Sequence, residues 1–293
     1  MTRLAVIILN FNGTADTLAC LASLIDQTRH APHPELLVID NGSTQGAAEP
    51  IRAGFPEIRL MELPENLGWA GGNNVGIREA LTAGADWICL LNNDTVLPPC
   101  SLAALLATAE RVGPCLLHPA IDYAGPGEGP QLDPGQVPTA PPARDLGNGL
   151  YELGHAYGAC LMVSSGIFRT IGLLDERFFL QLEETDFWMR ARAAGYRSYC
   201  DTNVRIVHAE SRSFGHRVSP RKTYYSVRNS LLLASKHRAP GVLRSLRWSL
   251  IGLARRCGYR SLIAWIASND PHAGAARAGV RDYASRRFGK GRQ

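Results

Sequence analysis

The sequence contains no pair of cysteines in CxxC spacing, although seven cysteines are spread along its 293 residues. Without such pairs we expect neither a cysteine-based zinc site nor a disulfide framework. Several of the cysteines stand in apolar segments, which is typical of proteins kept in a reducing compartment. We therefore expect a cytoplasmic protein.

Long hydrophobic runs are also missing. No stretch of about 18 uncharged apolar residues is present, so the sequence predicts no transmembrane helix. The first apolar run, Leu4 to Leu9, is too short for the core of a signal peptide. It leads into Asn-Phe-Asn-Gly and not into a cleavage site. We expect a chain without a leader or a membrane span.

Acidic residues are scarce after Lys236, where many arginines stand with two acids, Asp270 and Asp282. From about residue 242 to 266 apolar and basic residues mix in the way of an amphipathic helix. Such a helix either packs on its own domain, the commoner case, or lies at the inner face of the cell membrane. We predict a basic helical extension over 236–293 after a main domain over 1–235. Nucleic acid is not an expected partner, because no motif for it accompanies the arginines.

Strand-like and helix-like patterns alternate through the first 120 residues. Alternation of this kind predicts an α/β fold, with a mostly parallel, Rossmann-like sheet flanked by helices. Ligands bind such sheets at the carboxyl ends of the strands. The segment 124–149 is dense in proline and glycine, so we expect a long loop without regular elements there.

Polar residues follow three predicted strands and precede one predicted helix. They are Asn10-Phe11-Asn12-Gly13, Asp40-Asn41-Gly42-Ser43, Asn92-Asn93-Asp94 and the run from Glu65 to Asn74. Each alone is compatible with a simple turn or cap. Four of them at one sheet edge favour a site for a nucleoside diphosphate. Asp40 would accept hydrogen bonds from the base or ribose, glycines such as Gly71 would allow close approach, and Asp94 would bind a divalent cation.

These motifs, in this order, resemble the family 2 inverting glycosyltransferases of GT-A fold, and in particular their bacterial rhamnosyltransferase-like branch. The resemblance covers about residues 3 to 235. It implies metal binding by Asp94 and His208, with Mg²⁺ or Mn²⁺ as cofactor. Asn92 stands where the family's DXD-like motif has its first Asp. The residues that the resemblance assigns to nucleotide-sugar binding are Asn10, Asn12, Asp40, Asn66, Gly71, Asn74, Asn92, Asn93 and Arg212.

An acidic cluster in the second half of the chain is similar to the family's Glu-Asp-any-Asp motif. It contains Glu183, Glu184 and Asp186, with Glu176 shortly before it. An inverting displacement needs one carboxylate as general base for the acceptor hydroxyl. Mutual repulsion would raise the pKa of at least one of these acids. Glu184 is the first choice for the base and Asp186 the second, while an acidic helix start without catalytic function is the alternative.

The resemblance extends to Tyr224–Asn229, which looks like the family's Tyr-Arg-Asn helix and serves either helix packing or phosphate contact. It implies a dTDP-rhamnose-like or UDP-sugar donor and a glycan or polyprenyl-diphosphate-linked acceptor. A homodimer is one option for assembly. A non-catalytic nucleotide-sugar or glycan binding protein of the same fold is the alternative function. A sugar nucleotidyltransferase is disfavoured, because Asn10-Phe11-Asn12-Gly13 lacks a basic glycine-rich loop.

Overall fold

Strands and helices alternate from the first strand to Val112 in the computed structural model, which describes residues 2–28, 33–44, 46, 48–124, 129–136, 142–209 and 219–291. The elements of this part are β1 (Leu4–Asn10), α1 (Thr14–Thr28), β2 (Glu35–Asp40), α2 (Ala48–Gly54), β3 (Arg59–Glu62), α3 (Gly68–Thr82), β4 (Trp87–Asn92), β5 (Thr95–Val96) and α4 (Ser101–Val112). The expected strands and helices are confirmed here within a few residues. The short α2 and β5 were not predicted.

The second part of the chain adds more strands than the sequence predicts. Its elements are β6 (Leu116–Tyr123), β7 (Pro130–Leu132), β8 (Arg144–Asp145), β9 (Leu150–Leu153), β10 (Cys160–Ser164), α5 (Ser165–Ile171), α6 (Glu183–Ala193) and β11 (Ser198–His208). The expectation of no regular element over 124–149 is wrong, because β7 and β8 lie there and pair with β6 and β9. Pairing with neighbours overrides the weak strand preference of proline and glycine.

One sheet carries all these strands, in the order β3-β2-β1-β4-β10-β6-β11-β9-β8, with β5 paired to β11 and β7 to β6. The four strands β3, β2, β1 and β4 are mutually parallel. Strand β10 is antiparallel to both β4 and β6, whereas β6 and β11 are parallel. Asn10 pairs with Asp40 at the ends of β1 and β2, and Leu9 pairs with Asn92. The predicted convergence of polar strand ends at one edge is therefore present.

The apolar runs of the central strands are buried on both faces of the sheet. Val6 and Ile8 of β1 pack with residues of α1 and α4 on one face. Ile7 packs with residues of α3 and α6 on the other face. Side chains alternate between faces along a strand, so a continuous apolar run is what a two-sided core requires.

The chain ends in four helices, α7 (Pro220–His237), α8 (Pro240–Arg256), α9 (Leu262–Ala267) and α10 (Pro271–Ala284). The single helix expected from about 242 to 266 is broken after Arg256, where Gly258 adopts a φ of +85°. Val227 of α7 packs in one cluster with Leu253, Trp265 and Ala276. The predicted boundary between residues 235 and 236 falls inside α7. No helix in the described part of the chain has the length and apolarity needed to cross a membrane.

Candidate active site

A cleft of about 570 Å³ opens at the carboxyl ends of β1, β2 and β4. Residues from both halves of the chain line it. They include Phe11, Asn12, Asn41, Asn66, Trp69, Asn92, Asn93, Asp94, Gln131, Tyr157, Phe179, Gln181, Glu183, Glu184, His208, Arg221 and Lys222. The cleft therefore joins the polar strand ends of the first half to the acidic helix start and the basic start of α7.

Asp94 and His208 form a close pair in this cleft. Nε2 of His208 lies 3.1 Å from Oδ1 of Asp94, and both side chains are largely buried. Nδ1 of His208 lies 2.8 Å from Oε1 of Gln131. In the neutral ring with its hydrogen on Nδ1, that hydrogen is donated to Oε1 of Gln131, and Nε2 is available as a ligand beside Asp94.

This pair suits a hard divalent cation. Neighbouring ligands around a six-coordinate ion with bonds of about 2.1 Å stand about 3 Å apart, close to the separation found here. Gln131 lies at the other ring nitrogen of His208, in the place of the hydrogen-bond partner that orients a metal-binding imidazole. Among the described residues no group of three or more His, Cys, Asp or Glu side chains is placed to hold a metal ion. A cation held by the pair would complete its shell with phosphate and water oxygens.

Asn92 connects the pair to the aromatic wall of the cleft. Its Nδ2 lies 3.3 Å from Nε2 of His208, and its Oδ1 accepts a hydrogen bond of 3.2 Å from Nε1 of Trp69. Asn93 points the other way and donates to Oγ1 of Thr17 at 2.9 Å. The amide of Asn92 thus supports the imidazole without adding a second charge beside Asp94.

Asn12 and Asn66 also line the cleft, and both shape its turns. Asn12 has a φ of +56°, and its Oδ1 accepts from the backbone nitrogen of Thr44 at 2.9 Å. Oδ1 of Asn66 accepts from the backbone nitrogen of Gly68 at 2.7 Å and from Nδ2 of Asn41 at 3.2 Å. These bonds fix the loops that face the space between β1 and α3.

Asn10 and Asp40 lie in the layer beneath the cleft and do not line it. Asn10 is fully buried and Asp40 nearly so. Nδ2 of Asn10 donates to Oδ1 of Asp40 at 3.0 Å, and the hydroxyl of Ser43 donates to the same oxygen. The two side chains hold the turns after β1 and β2 together. Their assigned contact with the nucleotide stays a prediction.

Gly71 and Asn74 also face away from the cleft. A Cβ on Gly71 would meet Cβ of Leu67 at 2.7 Å, so the glycine serves packing at the start of α3. Asn74 is buried and bonds both backbone groups of Leu174, at 2.9 and 3.0 Å. The structure therefore gives both residues a packing role, while Arg212 lies outside the described residues.

The structure brings Glu183 and Glu184 to the cleft. Glu183 is buried, and its Oε2 has no hydrogen-bond partner among the described residues. Burial raises the pKa of Glu183 well above its ordinary value, and the neighbouring charge of Glu184 raises it further. Burial also raises the pKa of Glu184. Burial and mutual repulsion thus both disfavour the simultaneous ionisation of the two acids.

Asp186, the second choice for the base, does not line the cleft. It is fully buried and bonds Nε of Arg190 at 2.9 Å, Nζ of Lys236 at 2.7 Å and Nε2 of His237 at 2.7 Å. The carboxylate is thus bonded to one basic side chain of α6 and two of α7. In this network Asp186 links α6 to α7, and its assignment as the second choice for the base stays a prediction. Glu176 likewise pairs with Arg78 outside the cleft.

Several lining residues were not predicted from the sequence. Gln131 comes from the proline-rich segment, where the sequence pattern gives no signal for a site. Trp69 lies in the run from Glu65 to Asn74, where the polar residues carried the prediction, and Phe179 lies three residues after Glu176. Arg221 and Lys222 open α7 directly before the Tyr-Arg-Asn helix, and their charge is the signal that was available.

A parallel strand edge with polar turns, an aspartate–histidine pair and two acids in one cleft is the arrangement that the resemblance to GT-A glycosyltransferases implies. The Glycosyl transferase family 2 model matches residues 5–172, more than half of the chain. The protein belongs to that family.

Two relatives of known sequence are named as rhamnosyltransferases. The N-acetylglucosaminyl-diphospho-decaprenol L-rhamnosyltransferase of Mycobacterium tuberculosis is 28% identical over 249 residues, which cover 74% of this chain and 80% of that protein. The dTDP-rhamnosyl transferase RfbF of Shigella flexneri is 24% identical, over 74% of this chain and 76% of its own. Both alignments reach beyond the segment matched by the family model.

Solved structures share the fold at lower identity. S. aureus TarS 1–349 in complex with UDP-GlcNAc has a TM-score of 0.65 at 15% identity, over 96% of this chain and 80% of that one. GalNAc-T7 with UDP, GalNAc and Mn²⁺ has a TM-score of 0.64 at 16% identity, over 80% of this chain and 48% of the other. The GT-A fold is thus confirmed.

Proposed function

We propose that the protein transfers a sugar from a nucleoside-diphosphate donor to a hydroxyl of a glycan, in one displacement with inversion. The observation that carries this proposal is the shared cleft. It holds the Asp94–His208 pair at one wall and the Glu183–Glu184 pair at another. The Asp94–His208 pair is suited to hold a cation beside a charged leaving group, and the Glu183–Glu184 pair is suited to accept the proton of an attacking hydroxyl. The names of the relatives favour a dTDP-rhamnose-like donor, and a UDP-sugar is the second choice.

Glu184 is the general base in this proposal. Burial and the neighbouring charge of Glu184 raise the pKa of Glu183 further than burial raises that of Glu184, so we assign the shared proton to Glu183 and the charge to Glu184. An ionised Glu184 accepts the proton of the acceptor hydroxyl as that oxygen attacks the anomeric carbon. The neutral Glu183 lines the same cleft beside the base.

Asp94 and His208 would hold a divalent cation. When bound, the cation supplies charge neutralisation to the diphosphate leaving group. Imidazole is a better ligand for Mn²⁺ than for Mg²⁺, so Mn²⁺ is the expected ion. Arg221 and Lys222, at the start of α7, add positive charge to the same cleft.

The acceptor in this proposal is a glycan carried on a polyprenyl diphosphate. Support comes from the name of the mycobacterial relative and from the basic C-terminal helices. The extension would bring the cleft to the inner face of the cell membrane by peripheral contact. The exposed residues Leu243 and Trp248 on α8 are the apolar groups available for it.

The test combines a transfer assay with nucleotide binding. Wild-type protein, Glu184→Gln and an exposed control, Glu57→Gln, are compared with dTDP-rhamnose and UDP-sugars in the presence of Mn²⁺. Removing a general base lowers kcat by about 10²- to 10⁴-fold. Stabilisation of the folded protein by the nucleoside diphosphate should persist in Glu184→Gln.

Two results would contradict the proposal in different ways. Unchanged turnover in Glu184→Gln would refute the assigned base. Nucleotide-sugar binding without any transfer in the wild type would favour the alternative, a non-catalytic binding protein.

A further inference from the structure

The turn before α6 has an unusual backbone. Phe179, Gln181 and Leu182 have φ values of +62°, +70° and +70°, in the left-handed region that residues other than glycine avoid. Residues other than glycine are strained in this region, so the turn persists only if its surroundings hold it. Glu183 and Glu184 follow directly, with Leu182 as the residue that caps α6. The direction of both carboxyl groups therefore depends on this turn.

Asn229 of α7 holds the turn through its side-chain amide. Its Nδ2 lies 2.8 Å from the carbonyl oxygen of Phe178, 2.7 Å from that of Leu180 and 2.8 Å from that of Gln181. The side chain is fully buried. Its Oδ1 accepts from Nε of Arg228 at 3.0 Å, so the amide cannot rotate without breaking several bonds.

Arg228 also bonds this turn, at the residues directly before Phe179. Its Nη2 donates to the carbonyl oxygens of Arg177 at 3.1 Å and Phe178 at 2.9 Å. Its Nη1 donates to the carbonyl oxygen of Gly289 at 2.6 Å. Arg228 is fully buried, and its guanidinium lies 4.9 Å from the centre of the Tyr225 ring. Hydrogen bonds to a charged, buried donor are among the stronger ones in proteins.

The opposite side of the turn is fixed by the start of α3. The backbone nitrogen of Trp69 donates to the carbonyl oxygen of Phe179 at 2.7 Å. A Cβ on Gly68 would lie 2.3 Å from that oxygen, so only glycine permits this approach. The turn is thus held between the start of α3, which borders the cleft, and the middle of α7, which lies on the other side of the turn.

We propose that Asn229, with Arg228, is a positioning residue that holds the left-handed turn and so aims Glu183 and Glu184 into the cleft. Neither Asn229 nor Arg228 lines the cleft. The Tyr-Arg-Asn helix therefore acts on the acids from behind and does not bind phosphate through these two residues. This inference rests on the proposed function, because it needs a reaction in which the acid pair takes part.

The test compares Asn229→Ala with Ser235→Ala, which removes a side-chain hydrogen bond to Leu232 within the same helix. A misplacement of reacting groups by about 1 Å costs on the order of 10²-fold in rate. We expect Asn229→Ala to lower kcat roughly 10- to 100-fold, with the KM for the nucleotide-sugar changed by less than about 3-fold. Ser235→Ala should leave both parameters unchanged. If Asn229→Ala does not fold, Asn229→Ser, which keeps one donor, replaces it.

A rescue experiment separates positioning from general support of the fold. Asparagine tolerates the left-handed region better than glutamine, so Gln181→Asn lowers the cost of the turn. The double variant Asn229→Ala/Gln181→Asn should recover roughly 3-fold or more of the lost kcat. Absence of rescue, or equal effects of Asn229→Ala on kcat and on the KM of the donor, would overturn the positioning role. A wild type without transfer would overturn the proposed function as well.

Discussion

The exposed face of α8 leads to a quantitative prediction for membrane binding. Trp248 is 65% exposed and Leu243 is 42% exposed, and the neighbouring Arg244 and Arg247 are exposed too. At about 100° per residue these four side chains fall on one side of the helix. Leu253 on the opposite side packs in the cluster with α7. An outward face of apolar and arginine side chains, without an acid, fits an anionic lipid surface.

The size of the effect follows from the exposed areas. A tryptophan side chain offers roughly 200 Å², so about 130 Å² of Trp248 is available, worth about 3 kcal/mol if fully buried. A helix at the interface sinks only partly, so we take about half of that value for Trp248 and about 0.5 kcal/mol for Leu243. Together the two residues contribute about 2 kcal/mol, or roughly 30-fold in the partition constant. Arg244 and Arg247 add about 1 kcal/mol each at low salt.

Vesicle flotation measures this difference directly. The full chain and the variants are incubated with vesicles of phosphatidylcholine, with and without phosphatidylglycerol. Trp248→Ser/Leu243→Ser should bind the anionic vesicles about 30-fold more weakly than wild type. The matched control is Leu146→Ser, because Leu146 is 41% exposed on a different part of the surface. Equal binding of the double variant and the wild type, or an equal loss in Leu146→Ser, would refute the assignment of this face.

The acids and the aspartate–histidine pair give further predictions. The raised pKa of Glu184 places the acid limb of kcat above pH 4.5, with activity present when the base is ionised and lost as the pH falls. Glu183 carries a raised folded pKa, so the folded state loses stability as the pH rises above the ordinary glutamate value. Glu183→Gln should therefore raise Tm at pH 7.5 but not near pH 4, by roughly 2–4 °C for each kcal/mol gained; a lower Tm at pH 7.5 would contradict the raised pKa of Glu183 in the folded state. His208→Ala should abolish the extra thermal stabilisation that Mn²⁺ adds to bound nucleoside diphosphate, while the exposed control His33→Ala keeps it.

The parallel half of the fold was predictable from the sequence because its signals are local. Each buried strand there is a short apolar run, such as Leu36 to Ile39, followed at once by polar turn residues. Strand β6 was missed, although Leu116 and Leu117 are fully buried, because proline and histidine interrupt its pattern. Pairing with β11 and β10 stabilises it, and such pairing involves residues far apart in the sequence.

The site was only partly predictable for the same reason. Asp94 follows its strand directly, so its place at the sheet edge could be inferred from the sequence. The contacts of Asp186 could not be inferred from the sequence, because Lys236 and His237, which bond it, lie in a helix about 50 residues later. Gln131 lies in β7, and the pairing of β7 with β6 places it at the cleft. The residue pattern of a proline-rich segment does not predict this pairing.

The C-terminal extension is part of the support of the acids and not a detachable appendage. Gly289 bonds Arg228 through its carbonyl oxygen, and its backbone nitrogen donates to the carbonyl oxygen of Arg177 at 2.9 Å. Phe288 packs beside Phe178 and Leu232. A chain ending near residue 239 would lose these contacts together with α8, so its failure to bind membranes would carry no information about the helix face. Because Trp248 and Leu243 point outward, substitutions there leave the bonds of Arg228 intact. Substitutions at these two positions therefore test membrane contact without disturbing the position of the acid pair. The C-terminal extension would serve these two functions through opposite faces.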